Sequence, residues 1–371
     1  MLKEKQLKKR GFALQFSWIF VLIGGAIFLG FFIALIRNFD AGETQQSTQE
    51  SSQELDSLLK ISSAVSDTQK VVDFRSNKEI TFSCIDNVSE YYVEGSIKSS
   101  RYDYNAIFSP AKLKDDQLII RTLVFESPFK VMPLVYVTDK RIEYVFVGDS
   151  PIMSLLSNSM PTGVIKNTIS SSELPSRLID YPDNNYDHVV FILNDTDAQT
   201  LPWLTLSNFN SAKDKVFAVV ISTEGNRIDY GSLIFFKYSS NAFVNEGSVP
   251  FLENSLGQQK SVFILGGVIS HDKEIYECNL MKALKRMILM AQLHELRLEA
   301  YNQHYSSVNY DYTFYDCNDY YTGARGNLSS LTYSEVPILT PDNFNTMRLA
   351  INNIENINRL IMIFGDCARI Y

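Results

Sequence analysis

The stretch IEYVFVGDSP at residues 142–151 decides the expected fold, because it joins an apolar strand to a tight turn and a possible helix start. Its first part, Ile142–Val147, is apolar on both faces. Strands of this kind are typical of parallel sheets that are covered by helices on both sides. The stretch therefore predicts an α/β domain that begins at residue 142.

Downstream, short apolar runs alternate with segments of helical character. The runs are residues 142–147, 164–169, 188–193, 216–221, 232–236 and 262–269, and the helical candidates between them are residues 151–158 and 198–208. Crossovers of this length suit a parallel sheet, so we predict a three-layer, Rossmann-like or flavodoxin-like core. Gly266 and Gly267, in the last run, indicate a kink in a strand.

The C-terminal part is expected to add two helices, at residues 278–301 and 340–365, because apolar residues recur there at helical spacing. Both helices should pack on the sheet. The Tyr-rich segment between them is expected to be a long loop.

Upstream, residues 71–146 consist of short β-rich runs, separated by polar turns, which predict a small antiparallel sheet. The runs are residues 79–84, 91–97, 117–125, 131–138 and 142–147. We assign residues 67–141 to a small β-rich subdomain and residues 142–371 to the α/β domain with its helical C-terminal part. Residues 37–66 are expected to form a polar stalk and a short helix.

The N-terminus contains an uncharged apolar run at residues 12–36. A helix of this length would exceed a hydrocarbon core of about 30 Å, so the run predicts a transmembrane helix that contacts membrane lipid. Residues 1–11 carry Lys3, Lys5, Lys8, Lys9 and Arg10, which should keep this basic tail in the cytoplasm. The remaining chain would then be the extracytoplasmic part of a single-pass protein in the cell membrane.

The charge of the chain bears on its partners. The net charge is −8, and the part after residue 37 is more acidic still, because residues 1–37 hold six basic residues and one acid. Phosphate groups repel a surface of that sign, so nucleic acid is not an expected partner.

Four cysteines, Cys84, Cys278, Cys317 and Cys367, lie in the part expected to face an oxidising exterior, where they would form disulfides. Three connectivities are open. If the two C-terminal helices run antiparallel, Cys278 approaches Cys367, and this pairing is favoured. The cysteines and the four histidines are not arranged at ligand spacing, so neither a metal nor a cofactor is expected.

The turn Gly148-Asp149-Ser150 follows a buried strand and resembles the first block of GDSL-type (SGNH) hydrolases. The resemblance implies that Ser150 is a nucleophile at a strand end. The pair Asn194-Asp195 is similar to the later block that supplies oxyanion donors, with Ile192 in place of its glycine.

This chemistry also needs a base to take the serine proton. The family supplies it from an Asp-x-x-His block, and none of the four histidines has Asp three positions before it.

Two other interpretations of the turn at residues 148–150 stay open. The turn can be a strand-to-helix corner whose Asp149 or Ser150 caps the next helix. Alternatively, Gly148, Asp149, Ser150, Asn194 and Asp195 bind an anion or a small polar ligand at the end of the sheet.

Two further resemblances concern the N-terminus. The string Lys8-Lys9-Arg10-Gly11-Phe12 resembles the class III signal of type IV pilins and archaellins, which implies cleavage after Gly11 and a pilin-like subunit of a surface filament or secretion assembly. The FSWIF-type string that starts at Phe16, with the Gly365-Asp366-Cys367 end, resembles uncharacterised single-span proteins of archaea. That resemblance implies a topology and no activity.

The function expected from the sequence is therefore binding or cell-envelope assembly by an anchored extracytoplasmic α/β protein without a catalytic set. Its partners would be other envelope proteins or a second copy of the chain. A divergent SGNH-like hydrolase that uses Ser150, and a pilin-like subunit, are the alternatives.

Overall fold

A computed structural model gives the fold, and it describes residues 21–33, 49–50, 52–61, 67–73, 78–96, 99–174, 186–198, 215–223, 228–239, 242–253, 261–307, 317–332, 339–364 and 367–371. Within these ranges the chain is α/β, with three β-sheets and helices packed against them. This agrees with the predicted α/β class.

The strands, in chain order, are β1 (Gln69–Asp73), β2 (Ile80–Ile85), β3 (Val88–Val93), β4 (Ser100–Tyr102), β5 (Ala106–Phe108), β6 (Lys112–Leu113), β7 (Gln117–Glu126), β8 (Lys130–Asp139), β9 (Ile142–Val147), β10 (Ile165–Ile169), β11 (His188–Asn194), β12 (Val216–Thr223), β13 (Tyr230–Ser239) and β14 (Ala242–Leu252). After residue 150 the helices are α1 (Pro151–Ser159), α2 (Asp195–Ala198), α3 (Val262–Ser270), α4 (Lys273–Ser307), α5 (Cys317–Thr332) and α6 (Pro341–Phe364). Residues 21–33 and 52–61 are also helical.

The β-rich part forms two four-stranded sheets, in the orders β1-β7-β8-β5 and β4-β3-β2-β6. The prediction of one antiparallel sheet is therefore wrong. All pairs are antiparallel except β5, which runs parallel to β8. Apolar alternation shows that a segment is a strand, but the partner of each strand is set by contacts that alternation does not encode.

The largest sheet has the order β10-β9-β11-β12-β13-β14. Its first four strands are parallel, as predicted for an α/β core, whereas β13 and β14 occupy the last two places as an antiparallel hairpin. Strand β9 lies inside the sheet and explains its apolar sequence. Tyr144 and Phe146 pack into the main core, and Val145 and Val147 pack into a second core on the opposite face.

The last predicted strand of that sheet, residues 262–269, is wrong, because these residues form helix α3. All nine residues of α3 are buried, so the segment is apolar on every side and periodicity alone could not separate helix from strand. Gly266 and Gly267 are not a strand kink. They let the helix approach its neighbours, because an added Cβ would lie 2.8 Å from Phe108 and 2.2 Å from Leu233.

Helices α4 and α6 confirm the two predicted C-terminal helices, but the segment between them is not only a loop. It contains α5, whose Tyr321 and Leu328 are buried against the core. Helix α5 packs against both α4 and α6. Residues 308–316 lie outside the described residues, as do residues 199–208 of the helix expected at 198–208; Ala198 ends the short helix α2.

The disulfides join Cys84 to Cys278 and Cys317 to Cys367, with Cα–Cα distances of 5.9 and 5.7 Å. The favoured pairing of Cys278 with Cys367 is therefore wrong. Cys278 lies near the start of α4, which packs on β2 and so brings it to Cys84. Cys367 follows α6 and meets the start of α5, a helix that was not expected.

The predicted transmembrane helix at residues 12–36 is not supported and is corrected. In the part of the chain that the structure describes, no helix is both long and apolar enough to cross a membrane. The described part of that run is the helix at residues 21–33. The contact with membrane lipid that was expected at residues 12–36 depended on this predicted transmembrane helix.

The short helix expected before the β-rich part is present at residues 52–61. It packs on the β4-β3-β2-β6 sheet rather than standing apart. Leu55 and Leu59 are fully buried, and the Tyr102 hydroxyl donates to a carboxylate oxygen of Asp56 at 2.5 Å. Of the stalk expected at residues 40–52, residues 40–48 and 51 lie outside the described residues.

Candidate functional site

The two polar turns identified in the sequence lie at the same end of the largest sheet, where its parallel strands finish. We name this end the sheet edge. Strands β9 and β11 are parallel neighbours, with Phe146 opposite Ile192. The turn that starts at Gly148 and the pair that starts at Asn194 therefore follow adjacent strand ends. This is a consequence of the sheet order, since these segments are far apart in the sequence.

This edge is also the point at which the strand order reverses. From β9 the chain crosses through α1 to β10 on one side, whereas β11 lies on the other side of β9. In open α/β sheets the crevice outside the carboxyl ends of two such strands is the usual place for a ligand. The geometry therefore makes residues 148–150 and 194–195 the candidate site.

The first turn is shaped by Gly148, which has a φ of 84° in the region that favours glycine. Its N–H donates to the Ile169 carbonyl at 2.9 Å, which ties the turn to the end of β10. Ser150 occupies the N-cap position of α1, yet its side chain makes no capping hydrogen bond. The capping role considered for this serine is therefore wrong.

The Ser150 hydroxyl is the unusual group at this edge. Its Oγ is buried and has no hydrogen-bond partner among the described residues. An unpaired buried hydroxyl costs free energy, about 1–3 kcal/mol in proteins, so such groups call for an explanation.

The second turn is polar and open to solvent. Asn194 ends β11, and its Oδ1 accepts a hydrogen bond from the Thr196 hydroxyl at 2.8 Å. Asp195 begins α2 and is exposed, as is Asp149 in the first turn. The edge therefore carries two exposed carboxylates beside the buried hydroxyl of Ser150.

Among the described residues, no histidine or carboxylate forms a hydrogen bond with the Ser150 hydroxyl. His188 begins β11, at the opposite end of the strand from Asn194, a separation of about 20 Å at 3.3 Å per residue. There its ring lies 5.2 Å from the ring of His271. Burial lowers the pKa of His188 to about 4 and that of His271 well below its usual value.

The third histidine of interest, His294, lies on the inner side of α4, as its place on the apolar stripe predicts. Its ring stacks on Phe129 with centroids 4.6 Å apart, and Nδ1 lies 3.2 Å from the Ile370 carbonyl oxygen. Burial lowers its pKa. It supports the docking of the C-terminal residues and contributes nothing to the sheet edge.

The described residues include no group of three His, Cys, Asp or Glu side chains arranged to hold a metal ion. All four cysteines are oxidised in disulfides. They therefore offer no thiolate for a metal or for nucleophilic chemistry.

Sequence reasoning missed a buried polar cluster between α4 and the small sheets. The Lys282 ammonium donates to Ser89 Oγ at 2.6 Å, to the Tyr102 carbonyl at 2.9 Å and to the Asn105 carbonyl at 3.1 Å. Burial lowers its pKa to about 7. Three acceptors match the three donors of an ammonium group, so the cluster holds α4 in place. Lys282 lies two residues from Leu280 and two from Leu284, off the apolar stripe of the predicted helix, so helical periodicity gave no signal for its burial.

The fold and this edge define the class of the protein: a disulfide-bonded α/β protein with a polar candidate site at the carboxyl ends of β9 and β11. The chain matches no family model, no curated protein and no solved structure. The resemblances to GDSL-type hydrolases, to pilin signals and to archaeal single-span proteins therefore stay predictions.

Proposed function

We propose that this chain is a non-catalytic binding protein of an oxidising compartment, which acts in recognition or in the assembly of a cell-surface structure. The two disulfides support the compartment, because such bonds persist where thiols are not kept reduced. The proposal that the protein is not a catalyst rests on the Ser150 hydroxyl. It has no hydrogen-bonded base among the described residues, and a serine without a base is a poor nucleophile.

The charge at the sheet edge indicates the kind of ligand. The exposed carboxylates of Asp149 and Asp195 repel anions. The start of α1 is also a poor anion site, because Pro151 has no N–H and the Met153 N–H already donates to the Ser150 carbonyl at 3.0 Å. A small polar ligand with amine or hydroxyl groups therefore fits better than a phosphate or a carboxylate.

A thermal-shift titration tests this ligand class, with spermidine as the cationic probe and inorganic phosphate as the anionic probe. We expect spermidine to raise the melting temperature of the wild type in a saturable way and phosphate to have no such effect. The rise should shrink in Asp195→Asn, which removes a carboxylate from the edge. Asp342→Asn, at the exposed start of α6, is the matched control and should keep the full rise.

An assay of ester hydrolysis separates binding from catalysis. We expect purified wild type and Ser150→Ala to hydrolyse p-nitrophenyl acetate at the same background rate, with Ser154→Ala, on the exposed side of α1, as control. Turnover that is lost only in Ser150→Ala would favour the divergent hydrolase and overturn the proposal. A stronger saturable response to phosphate than to spermidine would overturn the ligand class.

A further inference from the structure

The outer face of helix α4 carries a regular row of exposed residues. They are Arg286, Leu289, Leu293, Leu296, Ala300 and Gln303, and all six are exposed. Their spacing alternates between three and four residues, which is the spacing of the a and d positions of a coiled coil. The three leucines are 55%, 57% and 64% exposed.

The other faces of α4 are already used. Leu284, Met287 and Ala291 are buried in the main core. Glu295 and Tyr301 meet α5 through Arg325 and Tyr321. No described element covers the exposed row, which we name the α4 seam. Three neighbouring exposed leucines on one helix face form the kind of apolar patch that marks an interaction surface.

We propose that the α4 seam is a self-association surface, on which the same helix of a second copy packs in the antiparallel direction. Antiparallel coiled coils place each a position opposite a d position. With the two-fold axis between residues 294 and 295, Leu293 faces Leu296 of the second copy, Leu289 faces Ala300 and Arg286 faces Gln303. The same row on both copies thus forms a self-complementary, isologous interface.

Charge selects the antiparallel over the parallel arrangement. A parallel pair would place Arg286 against its own copy in a core layer, where two like charges repel. In the antiparallel pair Arg286 lies one helical turn from Glu299 of the second copy, which is a favourable contact. Glu299 also lies 3.7 Å from Arg325 of its own chain, so it can hold both guanidinium groups.

The seam spans residues 286–303, a helix length of about 26 Å. A coiled-coil contact this short falls below the area of about 1,200–2,000 Å² that stable interfaces bury. We therefore expect a dimer that forms in the micromolar range and dissociates on dilution. The inference does not depend on whether the sheet edge binds a ligand.

Sedimentation of the full-length chain over a range of concentrations tests the interface. We expect Leu293→Arg to raise the dissociation constant at least about tenfold, because it places a charge in the central layer. Leu349→Arg, at an exposed leucine of α6 that is 51% exposed, is the matched control and should sediment as the wild type. Unchanged melting temperatures will show that both variants fold.

Disulfide crosslinking tests the direction of packing. The native cysteines form two disulfides and none is free, so introduced thiols react alone. A mixture of Leu293→Cys and Leu296→Cys chains should crosslink faster than either variant alone, because only the mixed pair shares a layer. Equal crosslinking by each variant alone would indicate parallel packing and overturn the proposal. A monomeric wild type at micromolar concentration, or a Leu293→Arg variant that still dimerises, would overturn it as well.

Discussion

Glu253 holds the start of the buried helix α3 with a single side chain. Its Oε2 accepts a hydrogen bond from the N–H of Val262 at 2.9 Å, and Oε1 accepts from Phe263 at 2.7 Å and Ile264 at 2.8 Å. These are N–H groups that a helix start leaves without a partner within the helix. A carboxylate there also interacts favourably with the helix dipole. The apolar helix α3 can be buried because Glu253 satisfies these donors.

Burial nevertheless raises the pKa of Glu253 to about 8, against the hydrogen bonds that lower it. The folded protein therefore binds more protons at this group than the unfolded chain does at every pH between the usual carboxyl value and about 8. Stability from this group is greatest at low pH and is lost as the pH rises through that window.

We expect Glu253→Gln to flatten this pH dependence, measured by urea unfolding between pH 5 and pH 8.5. The free energy of unfolding of the wild type should fall relative to the variant by a few kcal/mol as the pH rises. The variant should be less stable than the wild type at low pH, because the NH₂ group of its amide takes the place of one of the two side-chain oxygens that accept hydrogen bonds from α3. Parallel curves for the two proteins would mean that Glu253 does not titrate in this range.

At the scale of elements, α3 depends on glycine for its place in the core. Gly267 lies so close to Leu233 that an added Cβ would be 2.2 Å from its Cδ1, whereas nothing lies within 4 Å of the corresponding point at Gly326 on α5. Both glycines lie inside helices, where alanine has the better intrinsic propensity. Substitution by alanine at these two positions therefore distinguishes the effect of crowding in the core from the effect of helix propensity.

We expect Gly267→Ala to lower the free energy of unfolding by about 1–3 kcal/mol, because overpacking forces the helix from the sheet. Gly326→Ala should raise it by about 0.5–1 kcal/mol, the usual gain in an exposed helix. Urea unfolding of both variants measures the difference. A stabilising Gly267→Ala would show that Leu233 moves aside and that the helix is less tightly packed.

At the scale of the whole molecule, helix α4 connects the parts of the fold. It contacts β2, β5 and β8 in the two small sheets, β14 in the large sheet and α5 beside it. The disulfide between Cys84 and Cys278 fastens its first turns to β2 across a sequence separation of 194 residues. The second disulfide, between Cys317 and Cys367, closes a separation of 50 residues.

Removing the two disulfides in turn should give unequal losses of stability. The chain-entropy relation predicts a contribution of about 5 kcal/mol for the first bond and about 4 kcal/mol for the second. We expect Cys84→Ala with Cys278→Ala to lower the urea midpoint more than Cys317→Ala with Cys367→Ala does. A larger drop for the second pair would show that the docking of the C-terminal residues matters more than the closure of the long loop.

The sequence by itself determined the α/β class, the parallel strands β9, β11 and β12, and the helices α4 and α6. These elements have patterns with one physical meaning: strands buried on both faces are apolar throughout, and helices that pack on a sheet repeat at 3.6 residues. It also determined which turns follow the strands, and so the residue types at the candidate site, Ser150 and Asn194 among them.

Only the tertiary structure decided the pairing of the cysteines, the helical state of residues 262–270 and the absence of a hydrogen-bonded base from Ser150 among the described residues. Each of these depends on contacts between residues far apart in the chain, which no local pattern records. A segment buried on every side, such as α3, loses its periodicity because no side of it meets water. The sheet order, in turn, brought Gly148 and Asn194 to the same end of two neighbouring strands.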